Sequence, residues 1–188
     1  MKFNRRFLST VIASVSILTL VACGSDDDDD SGNGPVDVVL FDEAIDGDIV
    51  NDPNNPQPLL LAIGENRISG SMVAPDLDYV TINVPAGSEL AAIDLTDYVS
   101  TDDFSFIGMQ EGSVFTELPE GAAPENLLGF VLIGGELVGS DILGEMGVAD
   151  GVQGFTPPLE AGDYSFWIQE TGDAPVDYSI SFVVEEAN

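Results

Sequence analysis

Three stretches of the chain alternate apolar and polar positions with a period of two. They are residues 80–84, 164–168 and 178–184, in which Val, Ile, Tyr and Phe alternate with mainly polar side chains. Successive side chains of a strand point to opposite faces, so this pattern predicts strands with one buried face and one polar face. Trp167 occupies one of the positions predicted to face outward.

Shorter apolar runs predict six further strands: Val38–Phe41, Leu59–Ile63, Ile68–Met72, Leu90–Leu95, Phe104–Met109 and Leu128–Ile133. Turn-forming residues separate them, as at Gly64-Glu65-Asn66, and only Asp141–Met146 has a helical pattern. Short strands at this spacing predict an all-β fold, an antiparallel β-sandwich or jelly roll of about eight or nine strands over residues 37–188.

The first 22 residues have the pattern of an export signal. Lys2, Arg5 and Arg6 precede an apolar run over residues 7–22, which is shorter than the roughly 20 residues of a spanning helix. Leu20-Val21-Ala22-Cys23 resembles the lipobox of bacterial lipoproteins. That resemblance implies cleavage before Cys23, which then carries diacylglycerol and an N-acyl chain and anchors the protein in a membrane. An ordinary secretory signal and an uncleaved anchor are the alternatives.

Residues 23–36 contain five consecutive aspartates between small and turn-forming residues. Like charges repel and extend a chain, so we expect a disordered tether that holds the domain away from the membrane. An acidic surface-export signal is the alternative. Gly24 differs from the Asp that retains enterobacterial lipoproteins in the inner membrane, and this favours the outer membrane, facing either the periplasm or the surface.

The charge of the chain beyond residue 22 is extreme. All 34 acidic residues lie there with a single cation, Arg67, which gives a formal net charge of −33. Phosphate binding requires Lys or Arg, so this composition excludes nucleic acid as a partner. Cys23 is the only cysteine, and therefore no internal disulfide can form. Salt or bound cations are expected to offset the self-repulsion, as in a saline habitat.

Most enzyme classes lack their functional groups here. The region after residue 22 has no His and no Lys, so the usual acyl-transfer triads and zinc sites cannot be assembled. Glycoside hydrolysis by two carboxylates is the one catalytic class that the composition permits. Since aromatic residues suited to a sugar cleft are few, we expect no enzymatic activity.

Several short sequence segments resemble those of the bacterial pre-peptidase C-terminal domain and of the related collagen-binding domains of clostridial collagenases. They are Asp52-Pro53-Asn54-Asn55, Asn66-Arg67-Ile68-Ser69-Gly70, Asp76-Leu77-Asp78-Tyr79 and Ala161-Gly162-Asp163-Tyr164. The resemblance covers most of residues 46–184 and is weakest over 129–154. It implies a non-catalytic β-sandwich that aids secretion, stability or adhesion and in some members binds calcium.

Calcium is the cofactor that the sequence favours. Asp46-Gly47-Asp48 and residues 51–55 place many oxygen atoms on one turn-rich segment, and calcium takes six to eight oxygen ligands. The family resemblance implies that this segment meets the Asp76/Asp78 loop around the ion. The candidate ligands are Asp52, Asn54, Asp76 and Asp78, followed by Asp46 and Asp48. Solvated turns are the alternative, because Asp and Asn favour turns.

An outward-facing Trp167 suggests stacking on a sugar ring or a protein partner, although a crossing loop such as 147–158 would cover it. The sequence thus predicts a lipid-anchored binding or accessory module of the cell envelope. Its expected partners are the membrane, through the anchor, and an extracellular polysaccharide or protein. A structural lipoprotein without a ligand and a small carboxylate glycosidase are the alternatives.

Overall fold

A computed structural model describes residues 37–170 and 172–188. In these ranges the chain forms ten strands and two short α-helices. In chain order they are β1 (Asp37–Asp42), α1 (Glu43–Asp46), β2 (Gln57–Leu60), β3 (Gly64–Met72), β4 (Leu77–Val84), β5 (Ser88–Val99), β6 (Ser105–Glu111), β7 (Gly129–Ile133), β8 (Ser140–Asp141), α2 (Leu143–Gly147), β9 (Gly162–Glu170) and β10 (Val176–Glu186). The predicted signal (1–22), Cys23 and the tether (23–36) lie outside the described residues.

The strands form two five-stranded sheets. The first sheet has the order β1-β3-β10-β5-β8 and the second β2-β4-β9-β6-β7. This arrangement confirms the all-β sandwich, with ten strands rather than eight or nine. The sheets are also mixed rather than purely antiparallel, since β1 pairs in parallel with β3 and β2 with β4. The chain passes from β1 into the second sheet before it returns as β3, so these neighbours are not joined as a hairpin.

The core lies between the sheets and is built by the alternating strands. Ile180 and Phe182 of β10 face Phe166 and Ile168 of β9, and all four side chains are at most 2% exposed. The rings of Phe166 and Phe182 pack edge to face at 5.5 Å between centroids. Period-two alternation therefore identified the inward faces of both long central strands.

One local expectation was wrong at the start of β3. The predicted turn at Gly64-Glu65-Asn66 is the first part of this strand. Asn66 is fully buried there, and its side chain bonds the backbone N–H and carbonyl of Ala62 as well as the carbonyl of Phe182. A residue common in turns thus satisfies buried backbone groups within a sheet. The short helix α2 agrees with the predicted helical segment, whereas α1 and β8 were not predicted.

No helix in the described ranges combines the length and the apolar character needed to cross a bilayer.

Candidate functional site

Asp78 occupies a position that the strand pattern assigns to the core. It lies two residues before Val80 on β4, so its side chain points between the sheets with those of Val80 and Ile82. The residue is 0% exposed. A carboxylate in such a position requires compensation, because burial of an unpaired charge is strongly unfavourable.

Tyr178 of β10 supplies one part of that compensation. Its hydroxyl donates a 2.7 Å hydrogen bond to Oδ2 of Asp78, and the tyrosine itself is 2% exposed. Gly70, its neighbour on β3, leaves room for the ring. A Cβ atom at Gly70 would lie 2.6 Å from the Tyr178 hydroxyl oxygen. The other carboxyl oxygen, Oδ1 of Asp78, is buried and has no hydrogen-bond partner among the described residues.

This environment changes the acidity of both groups. Burial raises the pKa of Asp78 to about 8, against the lowering effect of the Tyr178 hydrogen bond, and the charges of Glu43, Asp76 and Asp48 raise it further. Burial, together with the neighbouring Asp78, raises the pKa of Tyr178 well above its ordinary value. Asp78 therefore favours a proton or a cation over the bare carboxylate at neutral pH.

Glu43 reaches the site from helix α1. Asp42 caps this helix by accepting a 3.0 Å hydrogen bond from the N–H of Ala44. The carboxylate of Glu43 then bridges two segments, accepting from the N–H of Ile49 at 2.8 Å and from the N–H of Ser71 at 2.6 Å. Glu43 was not among the candidates predicted from the sequence, although Asp42 as a helix cap was a usable signal.

Asp76 is held beside the same site by Asn51. The Asn51 amide nitrogen donates to Oδ1 of Asp76 at 2.9 Å, and its oxygen accepts from the N–H of Leu77. These two bonds join the segment before β2 to the start of β4. The turn-rich segment and the Asp76/Asp78 loop are therefore adjacent in the structure.

The structure separates the six sequence candidates into two groups. Asp48, Asp76 and Asp78 interact electrostatically at one place, together with Glu43. The other three are engaged locally: Asp46 accepts from the N–H of Asp42, and Asp52 accepts from the N–H of Asn54. We name Asp78, Tyr178, Glu43, Asp48 and Asp76 the Asp78 cluster. Tyr178 was predicted as an inward-facing residue, but one strand pattern cannot reveal its partner on another.

The Asp78 cluster borders an acidic cleft of about 390 Å3. Its lining includes Tyr178 and four acidic residues, Glu43, Asp48, Asp97 and Asp177. Within residues 37–170 and 172–188, no three acidic side chains are already arranged as a metal centre. The side chains of the cluster thus lie near each other, but their oxygen atoms do not point at one common position as metal ligands do.

Trp167, the candidate for ligand stacking, is only 5% exposed. Its ring packs against Phe106 and Phe115, at 4.7 and 5.9 Å between centroids. The segment between β6 and β7 supplies Phe115 and Leu127 to this cover, and Val152 of the expected crossing loop packs against its edge. The side chain therefore faces outward from the sheet, as predicted, but lies beneath other residues.

Comparison of the chain with protein-family models and with curated proteins finds no match.

Proposed function

We propose that this protein is a lipid-anchored, non-catalytic binding module of the cell envelope whose β-sandwich is stabilised by calcium at the Asp78 cluster. The observation that carries the proposal is the buried Asp78 carboxyl group with an unpartnered oxygen, beside three further carboxylates. Calcium supplies the positive charge and the ligand bonds that this oxygen lacks.

The residues present fit calcium better than they fit other common ions. The cluster offers only oxygen donors, which hard cations such as calcium prefer, whereas zinc and copper sites generally use His or Cys. Asp78, Asp76 and Asp48 would hold the ion, with Glu43 as the fourth carboxylate. Because Glu43 is engaged with Ile49 and Ser71, binding requires side chains of the cluster to move.

The chemistry of the ion here is structural. A bound ion would neutralise the buried acid, and its ligands would come from α1, the segment before β2 and the start of β4. Binding that favours the folded state raises stability in proportion to the logarithm of ion concentration. Such a domain is stable where calcium is abundant, as outside the cell membrane.

Isothermal titration with calcium tests this site directly. We expect saturable binding of about one ion per chain and its loss in Asp78→Asn, which keeps the size of the side chain but removes its charge. Asp173→Asn is the matched control, because Asp173 is an exposed acid outside the cluster. Equal calcium binding by wild type and Asp78→Asn would refute the assignment.

The anchoring part of the proposal rests on the sequence around Cys23 and the short apolar run before it. One acyl chain gives only reversible membrane binding, but the three chains of a mature lipoprotein give stable attachment. The acidic residues that follow Cys23 would hold the sandwich off an anionic membrane.

Metabolic labelling with a fatty acid tests the anchor. We expect label on the wild-type protein in the outer-membrane fraction, and neither label nor membrane retention for Cys23→Ser. Label that persists in Cys23→Ser would contradict lipidation at this residue.

A further inference from the structure

A line of aromatic rings crosses the outer face of the second sheet. Phe130 of β7 stacks on Phe106 of β6 at 5.8 Å, and Phe106 packs on Trp167 of β9 at 4.7 Å. Phe115 lies against both Trp167 and Tyr79 of β4, each at 5.9 Å. We name these five rings the aromatic strip. Gly108 of β6 pairs with Phe130 of β7 on one side and with Trp167 of β9 on the other. Because it has no side chain, it leaves space for the ring of Phe106.

The two ends of the aromatic strip differ in exposure. Phe106 and Phe130 are half-buried, so their edge of the sheet is open to solvent. Trp167 and Tyr79 are 5% and 1% exposed. The strip therefore runs from an accessible aromatic surface into a covered one.

The covered end contains polar atoms without partners. Five buried side-chain atoms in the described residues have no hydrogen bond, and three belong to this face: Trp167 Nε1, Tyr79 Oη and Gln169 Oε1. Gln169 shares the face of Trp167 because it lies two residues further along β9. Unpaired buried polar groups cost free energy, and native proteins contain few of them. Two donors and an acceptor on one aromatic surface are the groups that bind a ligand carrying hydroxyls.

The segment over the buried rings is attached at its two ends. At one end the hydroxyls of Thr81 and Ser165 donate to the carbonyls of Ser113 and Val114. At the other end the N–H of Leu128 donates to the carbonyl of Met109. In the described structure, residues 117–125 bond within their own segment, mainly through Glu117, which accepts from Ala123 and Asn126. Ala122 of this tip packs against the buried rings, and the direct cover comes from Phe115 and Leu127 near the two attached ends.

A polar cleft of about 440 Å3 continues the same face along β6. Gln110, two residues beyond Gly108, is 8% exposed and is held by the carbonyl of Asn126 and by the N–H of Thr116. Glu111, Glu117 and Gln153 also line the cleft. Amide and carboxylate groups thus adjoin the aromatic strip, without a cation in the lining.

We propose that the aromatic strip and this cleft form a binding site for a pyranose ring of a neutral polysaccharide. The apolar C–H face of the sugar packs on Phe130, Phe106 and Trp167, and its hydroxyls bond Trp167 Nε1, Tyr79 Oη and the cleft amides. Binding at the covered end requires displacement of Phe115 and Leu127, which pack over Trp167 and Tyr79. Acidic polysaccharides are repelled by a chain with 34 acidic residues. This inference rests on the proposed binding role but does not require calcium.

Fluorescence provides a direct test, because Trp167 is the only tryptophan in the chain. The protein, purified in a polyoxyethylene detergent, is titrated with cellohexaose, chitohexaose and mannohexaose, and with an alginate hexamer as the acidic control. We expect a saturable change in Trp167 emission with at least one neutral hexasaccharide and none with alginate. The absence of a saturable change with all three neutral probes overturns the proposal.

Two variants locate the site. Phe130→Ala removes an accessible ring of the strip, and we expect binding to weaken about tenfold, as for an aromatic anchor. Phe104→Ala is the matched control, since this phenylalanine is 46% exposed and outside the strip, and its affinity should stay within about twofold of wild type.

Trp167→Phe preserves an aromatic ring and removes the Nε1–H donor, so calorimetry should show weaker binding in a folded protein. Unchanged binding by both Phe130→Ala and Trp167→Phe overturns the location.

Titration in calcium and in chelator separates this proposal from the calcium site. Glycan binding by a protein that binds no calcium refutes only the cation assignment, whereas calcium binding without glycan binding refutes only this inference.

Discussion

Gly70 and Tyr178 lie opposite each other on neighbouring strands, and the tyrosine ring occupies the space that a side chain on Gly70 would need. A Cβ atom there would come within 2.6 Å of the Tyr178 hydroxyl oxygen, the same atom that donates to Asp78. The glycine thus controls the geometry of a hydrogen bond to a buried acid.

Gly70→Ala should therefore displace Tyr178 and lower the free energy of unfolding by about 1–3 kcal/mol, the usual cost of overpacking. It should also weaken calcium binding. Gly144→Ala is the control, because a Cβ atom at Gly144 meets no atom within 4 Å. Urea unfolding of both variants measures the effect, and equal stability of the two would contradict the proposed steric relation.

Tyr178→Phe removes the only described hydrogen-bond donor to the Asp78 carboxyl group. With both oxygens unpaired, the free energy of unfolding in chelator should fall by about 1–3 kcal/mol. The matched control is Tyr164→Phe, since the Tyr164 hydroxyl donates at 2.9 Å to the neutral carbonyl of Glu160. The control should have a smaller effect and bind calcium as wild type does; a larger effect than that of Tyr178→Phe would contradict the role of the Asp78 cluster.

Stability in chelator should depend on pH through Asp78. Its pKa is about 8 in the folded chain, against an ordinary value of 3.8, so the folded state holds a proton that the unfolded state releases. The free energy of unfolding should therefore fall between about pH 4 and pH 8, by roughly a few kcal/mol, and level off above. Denaturant titrations of wild type and Asp78→Asn at each pH measure the difference.

Mutual repulsion of the other acids gives a slope of the same sign, which should remain in Asp78→Asn. The part of the pH dependence that disappears in Asp78→Asn is due to the ionisation of Asp78. An identical slope in the two proteins would show that Asp78 ionises normally.

The cover of Trp167 predicts a spectroscopic effect. Phe115 is 1% exposed and packs on both Trp167 and Tyr79. Phe115→Ala should lower the free energy of unfolding by about 3 kcal/mol and shift the Trp167 emission to longer wavelength, because water reaches the indole. Unchanged emission would contradict the covering role of this segment.

Alternation of side chains and short apolar runs together identified every described strand except β8, because both patterns are visible within a few residues. It could not identify the parallel pairing of β1 with β3, which depends on the chain passing through the second sheet. The candidate site was found only in part for the same reason. Asp48 and Asp76 were visible as acids on turn-rich segments, whereas Glu43 depends on a four-residue helix and Tyr178 on contact between separate strands.

The burial of Trp167 was likewise not predictable from the local sequence. Its outward direction followed from alternation along β9, but its burial depends on Phe115 and Leu127, which come from a segment without periodic pattern. Long-range cover of this kind carries no local signal.

Salt should stabilise the domain even without calcium. Within residues 37–188 the only cation, Arg67, stands against 29 acidic residues, and the Debye length shortens from about 10 Å at 0.1 M salt to about 3 Å at 1 M. We expect the melting temperature in chelator to rise with sodium chloride over this range. A melting temperature independent of salt would show that self-repulsion does not limit stability.

Thermal unfolding with and without calcium tests the central claim most directly. At a calcium concentration about 100 times the dissociation constant, the folded state should gain about 2.7 kcal/mol, which corresponds to a rise of roughly 5–10 °C for a domain of this size. Sodium chloride of equal ionic strength serves as the control for screening. We expect calcium to raise the melting temperature of the wild type beyond this control and to leave that of Asp78→Asn at the control value. An unchanged wild-type melting temperature would contradict the calcium-stabilised fold.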